Sequence, residues 1–524
     1  MVNNMINFQV FGIQERPSNN TINTVRLSAN NWDDYSFKTL FNSSIIESSG
    51  VLTDLGSVKI GFVGQPTGWT LQNIPRNFFE LPDGWFSLGQ SPDYYQAIMS
   101  LSEPDRLNYL RSMRDVVFNP HILETIENEQ VFNSSLTRNI STPLIRGQFT
   151  RIVQGFASLT EFNFLYARPQ SERKSGVNLS FKVEVGSKPS TNIHVLIGRN
   201  GVGKTTILNE MISAAIEPSS PDGPGRFYEN NGIFGVSELP PDYFSGAVSV
   251  SFSAFDPFTP PPDRSDIGHG PSYCYIGMKQ MRAGVASPAE MPPKTSRQLV
   301  NDLVLSTKAC LSQSERRSRW ERAIRRLESD SNFADMELGR IASNWTADDD
   351  SNERIVRSFA ERMSSGHAVV LLTISRLIEK VEEKTLVLMD EPESHLHPPL
   401  LSAFTRALSE LLHDRNGVAI IATHSPVILQ EVPRSCVWKL DRRRTSGRSD
   451  RPETETFGEN VGTLTKEVFG LEVQKSGFHA VLTDEVAQGK TFDQIMTEYK
   501  NQLGTEATAV LLALIRNRDN GGFQ

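Results

Sequence analysis

The sequence predicts an α/β fold: a mainly parallel sheet wrapped by helices, with an antiparallel β subdomain and an inserted helical arm. Three observations predict it. The apolar run Ile193-His194-Val195-Leu196-Ile197 passes directly into Gly198-Arg199-Asn200-Gly201-Val202-Gly203-Lys204-Thr205 and then into a helical pattern from Ile207 to Ile212. That is the strand, glycine loop and helix a phosphate-binding loop requires. Two more short, wholly apolar runs, 385–389 and 418–422, read as parallel strands buried on both faces. Each is preceded by a stripe at three- and four-residue spacing: Val370, Leu371, Ile374, Leu377, Ile378 and Val381, then Leu400, Leu401, Phe404, Leu408, Leu411 and Leu412. Such stripes are helix faces, and strands alternating with helices give a parallel sheet.

The other elements follow in order. Residues 1 to about 150 are rich in Asn, Ser and aromatics, with one clear helix start at Ser102-Glu103-Pro104-Asp105: an N-cap, a proline in the first turn and an acidic capping partner. Residues 162–197 read as strands around a turn near 171–176. A Pro/Gly-rich break at 217–225 ends the helix after the glycine loop. The stretch 248–255 alternates as a strand, and 258–262 is a proline-rich loop. Residues 296–345 are charged and helical, with a basic face of Arg316, Arg317, Arg319, Arg322, Arg325 and Arg326. The end, 461–516, is helical in pattern and a candidate docking region. No internal repeat is visible.

Composition narrows the class. The chain has 524 residues, 38% hydrophobic and 22% charged, which describes a globular protein with material for a real core and about three domains. Its net charge of -8 argues against a dedicated nucleic-acid coat but leaves local basic patches open. Cys274, Cys310 and Cys436 show no metal-ligand spacing and are expected as reduced thiols. With no leader-like start and no run approaching 18 apolar residues, a cytoplasmic protein that does not enter the membrane is expected.

The chemistry gathers at the ends of the apolar runs. Backbone N–H groups of Asn200, Gly201, Val202, Gly203, Lys204, Thr205 and Thr206 can cradle phosphate oxygens. Lys204 can reach the outer phosphates and the Thr205 hydroxyl can hold Mg²⁺. Asp390 and Glu391 follow the run 385–389, where ligands collect in open α/β sheets. Asp390 is assigned to Mg²⁺ and Glu391 to polarising the attacking water. His424, two residues past the next run, is a candidate γ-phosphate contact. Ser364-Ser365-Gly366 opens the helix before Asp390, either as an anion site or as a simple N-cap.

Together these segments resemble the ABC-type ATPase family, in order: Walker A (GRNGVGKT), signature (MSSGH), Walker B with its catalytic acid (LVLMDEPE), a D-loop-like segment (SHLHP) and a switch histidine (ATHSP). The resemblance implies ATP and Mg²⁺ as ligands and a head-to-head oligomer in which Ser364, Ser365 and Gly366 act in trans. It divides the chain into an N-terminal region of the head (1–160), a first head part with Walker A (161–255), a helical arm (256–355), a second head part (356–440) and a basic loop with C-terminal helices (441–524). Two departures stand out. His367 replaces the glutamine common in transporter signatures, and no glutamine closes the strand near Phe255-Asp256, leaving Gln280 as a stand-in for the family's metal-contacting glutamine.

The long text from Glu391 to Pro433 is similar to the overcoming-lysogenization-defect (OLD) ATPases. No Asp-x-Asp pair lies between 425 and 524, so a Toprim nuclease in the same chain is not expected. Segments 87–101, 248–258, 364–377 and 456–472 resemble the ATPase subunit of the Septu anti-phage defence system, including its retron-associated relatives. That resemblance implies a separate HNH-type nuclease subunit as partner, with DNA or a retron reverse transcriptase and its msDNA as further candidates. The alternatives are a DNA-repair ATPase without a nuclease partner and a stand-alone OLD-like nuclease. Two basic stretches, the arm face above and Arg442-Arg443-Arg444 with Arg448 and Arg451, are candidate nucleic-acid contacts.

Overall fold

The computed structural model describes residues 6–13, 15, 21–47, 50–138, 140–155, 161–171, 174–217, 225–230, 235–241, 243–252, 258–264, 271–280, 293–345, 349–443, 446–469 and 477–520. At its centre is a seven-stranded sheet in the order Ser272–Gly277, Gly246–Ser251, Thr385–Asp390, Val418–Thr423, Ile193–Gly198, Val437–Arg443, Ser446–Asp450. The first six strands are parallel and the last pairs antiparallel. The expected strand 248–255 is Gly246–Ser251; residues 253–257 lie outside the described set.

Why the apolar runs became inner strands is visible in their two faces. Leu386, Leu388 and Ile420 pack with the helix Lys204–Ile216, while Val387, Met389, Ala419 and Ile421 pack with helices on the other side. A strand covered on both sides has no wet face to alternate toward. The helix Lys204–Ile216 is itself roofed by a four-stranded antiparallel sheet, Val177–Val183, Phe162–Arg168, Arg226–Asn230 and Val236–Glu238. Its Phe162, Phe164, Tyr166, Leu179 and Phe181 share a core with Ile207, Leu208 and Met211. The antiparallel subdomain therefore draws strands from both sides of the glycine loop in sequence.

The opposite face carries the arm helices Ser296–Leu311, Ser314–Leu327, Ser331–Asp335, Gly339–Ser343 and Asp349–Ala360, with Ser365–Lys380 and Pro398–Arg415. The basic arm face is split: Arg316 and Arg319 are buried, and Arg319 is paired with Asp93 and Asp414. Arg317 pairs with Glu321, Arg322 with Asp414 and Arg326 with Glu410. Arg322, Arg325 and Arg326 keep exposed side chains, so the outer part of the stripe faces solvent.

Residues 6–153 build a six-stranded sheet of their own, in the order Asn77–Phe78, Asn7–Phe11, Thr24–Ala29, Leu40–Ile46, Leu52–Phe62, Trp85–Gly89, over a separate core that includes Phe8, Phe41, Ile60, Phe86 and Phe149. Ser102 caps the helix Glu103–Ser112 as the sequence indicates. Inside, Lys59 is fully buried and bonded to Asp34 at 2.7 Å. This unit joins the arm by polar contacts: Asn30 Nδ2 donates to the Ser312 carbonyl at 2.8 Å and the Ser57 amide to Glu315 Oε1 at 2.7 Å.

The C-terminal helix Val461–Phe469 packs Leu464 into the head core, and the helices Gly477–Ala487, Phe492–Glu498 and Thr505–Asp519 close over a small core of Leu482, Val486, Ile495 and Leu511. All three cysteines are buried and free, and burial pushes the Cys274 and Cys436 thiols up to about 11. Among the described residues no helix is long and apolar enough to cross a membrane.

Candidate functional site

Strand register aligns the site. Ser251, Asp390 and Ala422 lie in one row across the sheet, and Ala422 is in turn level with Leu196. One to three residues beyond that row come Gly198-Arg199, Glu391 and His424, all at the carboxyl edge where open parallel sheets bind ligands.

Gly198 ends its strand where a Cβ would stand 2.3 Å from the Leu440 carbonyl oxygen, so no side chain fits. Gly201 and Gly203 take φ of 78° and 97°, the left-handed region open to glycine at little cost. Gly203 is the N-cap of the helix Lys204–Ile216, so the loop delivers the positive end of a helix dipole and its orphan N–H groups to one point. Thr205 and Thr206 lie in that first turn. Arg199, Asn200, His424 and Phe469 line an open cleft beside it.

Lys204 is 5% exposed. Its Nζ donates to the carbonyls of Gly198 at 3.1 Å and Arg199 at 3.3 Å, and lies 2.8 Å from His424 Nε2. Burial draws the ammonium below its ordinary value, against the opposing pull of Glu391, Asp390 and Glu393. His424 Nε2 also lies 3.1 Å from Glu391 Oε1. Burial first, then the charge of Lys204, lowers the imidazole below its ordinary value, so His424 is neutral at pH 7. Glu391 holds a left-handed backbone, φ 44° and ψ 57°, which a non-glycine residue adopts only under constraint. The constraint is visible: its amide donates to the Ala422 carbonyl at 2.9 Å.

The structure thus brings Lys204, Asp390, Glu391 and His424 together. It adds Glu393, to which the sequence reading gave no role. Glu393 Oε1 accepts from the Thr423 hydroxyl at 2.7 Å and the His424 amide at 2.6 Å, locking the histidine loop to the Glu391 loop. A third acid within DEPE was the available signal. Arg442 is the other addition: a Cβ on Gly203 would lie 3.9 Å from its Nη1, which puts this part of the basic loop beside the phosphate loop. Arg451 instead stacks on Trp438 at 3.7 Å and donates to the Val437 and Ser180 carbonyls. Arg444 lies outside the described residues.

Ser364, Ser365 and Gly366 stand apart from this cluster; no hydrogen bond or ion pair of the described residues joins them to the phosphate loop. Ser364 caps the helix Ser365–Lys380 by accepting from the His367 amide. A Cβ on Gly366 would meet the His395 carbonyl oxygen at 2.4 Å, so glycine is required for the helix start to approach the segment after Glu391. Gln280 donates to Pro293 and Gln298 at the base of the arm and makes no such bond to the phosphate loop.

ATP and Mg²⁺ fit this donor set. The loop has the curl, the helix N-terminus and the buried cation that phosphates need, and Thr205 and Asp390 offer the hard oxygen ligands Mg²⁺ prefers.

Residues 286–430 match the family described as "AAA domain, putative AbiEii toxin, Type IV TA system". The ATP-binding cassette MJ1267 of an ABC transporter, in its ADP conformation, covers 61% of this chain and all of its own at 16% identity and a TM-score of 0.31. The SMC head domain from Thermotoga maritima covers 56% of this chain and all of its own at 12% and 0.30. Likeness this low carries no argument about function. Protein ea59 of Escherichia phage lambda is 45% identical over 517 residues, 96% of this chain and 97% of that protein. The chain therefore belongs to the family of phage lambda ea59 and carries an ATPase domain of the AAA type.

Proposed function

We propose that the chain binds ATP with Mg²⁺ at the phosphate loop and hydrolyses it slowly in a head-to-head oligomer. We further propose that its nucleotide state restrains or releases a separate HNH-type nuclease in an anti-phage complex. The observation that supports the first part is the contact chain Lys204–His424–Glu391 at the mouth of the glycine loop. The amides of Asn200 to Thr206 bind the phosphates, and Lys204 exchanges the Gly198 and Arg199 carbonyls for phosphate oxygens. Thr205 and Asp390 hold Mg²⁺, which neutralises charge on the phosphates when bound. Glu391 takes the proton of the attacking water; neutral His424, tied down by Glu393, orients that water. Ser364, Ser365 and Gly366 present a helix N-terminus for a second head, because they do not meet the phosphate loop of their own chain.

Glu391→Gln should keep ATP binding, slow hydrolysis by about 10²–10⁴-fold and accumulate the closed oligomer on sizing columns. Wild-type hydrolysis in that variant would remove Glu391 from the role. The nuclease part is supported by the likeness of segments 87–101, 248–258, 364–377 and 456–472 to Septu ATPase subunits. A complex of this kind carried by a phage, as ea59 is, would act against other phages. Purification of the tagged protein from its own host at low salt should recover an HNH protein in near-stoichiometric amount; its absence would remove the nuclease from the reading.

A further inference from the structure

Away from the phosphate loop, three elements converge on one carboxylate. Asp330 lies between the arm helices Ser314–Leu327 and Ser331–Asp335, His367 is in the first turn of Ser365–Lys380, and His397 is the N-cap of Pro398–Arg415. His367 Nε2 is 3.2 Å from Asp330 Oδ1, and His397 Nε2 is 3.2 Å from Asp330 Oδ2. One ligand atom from each residue lies within 4.8 Å of the other two. Asp330 and His367 are buried, whereas the His397 side chain is 46% exposed.

We propose that Asp330, His367 and His397 form a site for one divalent transition-metal ion, zinc by ligand type, with water completing the coordination from the exposed His397 side. Both gaps are 3.2 Å, within the range of a hydrogen bond and close to the about 3.3 Å that separates two ligands on a tetrahedron with bonds of about 2.0–2.1 Å, so the triad already holds the spacing an ion needs.

The outer faces of the ligands are held as metal ligands usually are. His367 Nδ1 lies 2.6 Å from Ser364 Oγ, which aims Nε2 at the carboxylate, and Phe333 packs against the ring at 5.0 Å. Asp330 Oδ1 accepts from the amides of Asn332 at 3.1 Å and Phe333 at 3.2 Å, fixing the carboxylate plane. The Leu400 amide donates to His397 Nδ1 at 3.5 Å, a long capping bond that yields when Nδ1 takes the proton and Nε2 binds the ion. Two imidazoles with one carboxylate select zinc-like ions over Mg²⁺ or Ca²⁺, which take oxygen ligands. The ion would staple the arm to the start of the signature helix and to the segment that follows Glu391. This inference stands on these three residues and not on the nucleotide reading.

The test uses the full chain, stripped with a chelator, dialysed against zinc chloride and cleared of loose metal. Wild type should retain about one zinc per chain and unfold at a higher temperature than its stripped form. His367→Gln and His397→Gln should each lose the retained zinc. Cobalt loaded into stripped wild type should show the strong visible absorption of a four-coordinate ion, a readout that needs no variant. No retained zinc in wild type, equal zinc in the variants, or the weak spectrum of octahedral cobalt would each overturn the site.

Discussion

His194 gives the sharpest stability prediction. It sits inside the phosphate-loop strand, level with Ile420 on the neighbouring strand, with the Phe181 ring 5.2 Å away. It is 1% exposed, and its imidazole is pulled down to about 3 from an ordinary 6.5. Burial is the largest cause, the charge of Arg451 adds to it, and the Lys182 backbone opposes both. The sign follows from linkage: below pH 6.5 the unfolded chain takes up a proton the folded chain refuses, so stability is full above 6.5 and falls as pH drops toward 3. Between pH 8 and pH 5 this removes about 2 kcal/mol. His194→Leu should abolish that part of the pH dependence whatever its own constant effect on stability. Urea unfolding of both forms at the two pH values, read on the transition that added ATP displaces, measures the difference of differences. Equal pH dependence in the two forms would refute the argument that this histidine is buried neutral.

Other outcomes follow from the same structure. Buried Asp115 is raised to about 7, by burial first, against the Phe118 amide, the Tyr95 hydroxyl and the Val117 amide. Its sign is opposite: stability is full below about 4 and is lost as pH rises through 7, so Asp115→Asn should flatten a change of about 2–3 kcal/mol between pH 5 and pH 8 in the N-terminal unit. Asp34→Asn leaves Lys59 buried without its counter-charge and should lower that unit's unfolding free energy by about 3–5 kcal/mol. Gly366→Ala gains about 1 kcal/mol of helix propensity but drives a Cβ to 2.4 Å from the His395 oxygen, a larger penalty of about 1–3 kcal/mol. It should spare ATP binding while reducing turnover. Because His424 must stay neutral and its imidazole is held below its ordinary value, turnover should hold as pH drops through 6.5 and fall only at lower pH, and His424→Gln should remove that limb of the profile.

The head was legible because its physics is local. A strand buried on both faces must read as an apolar run, as 385–389 and 418–422 do, and a phosphate loop must place glycine where φ is positive, as Gly201 and Gly203 do. Helix starts such as Ser102 and Ser364 show for the same reason. What stayed hidden depends on contacts across hundreds of residues. Nothing near Arg319 in sequence says that Asp93 and Asp414 neutralise it. Nothing near Lys59 marks it as a core cation, since a lysine in a strand ordinarily points to water. The triad Asp330, His367 and His397 has no ligand spacing at all, being assembled by three helix termini. The mixed sheet of 6–153 was obscured for a related reason: its short strands differ in burial pattern, alternating in Asn7–Phe11 but almost wholly buried in Thr24–Ala29.

The central claim is that the glycine loop is a nucleotide site, and titration calorimetry of ATP with Mg²⁺ into the full chain tests it most directly. Wild type should bind saturably, with Lys204→Ala abolishing the heat and Glu391→Gln preserving it. Saturable binding that survives Lys204→Ala, or no binding by wild type at all, would contradict the account.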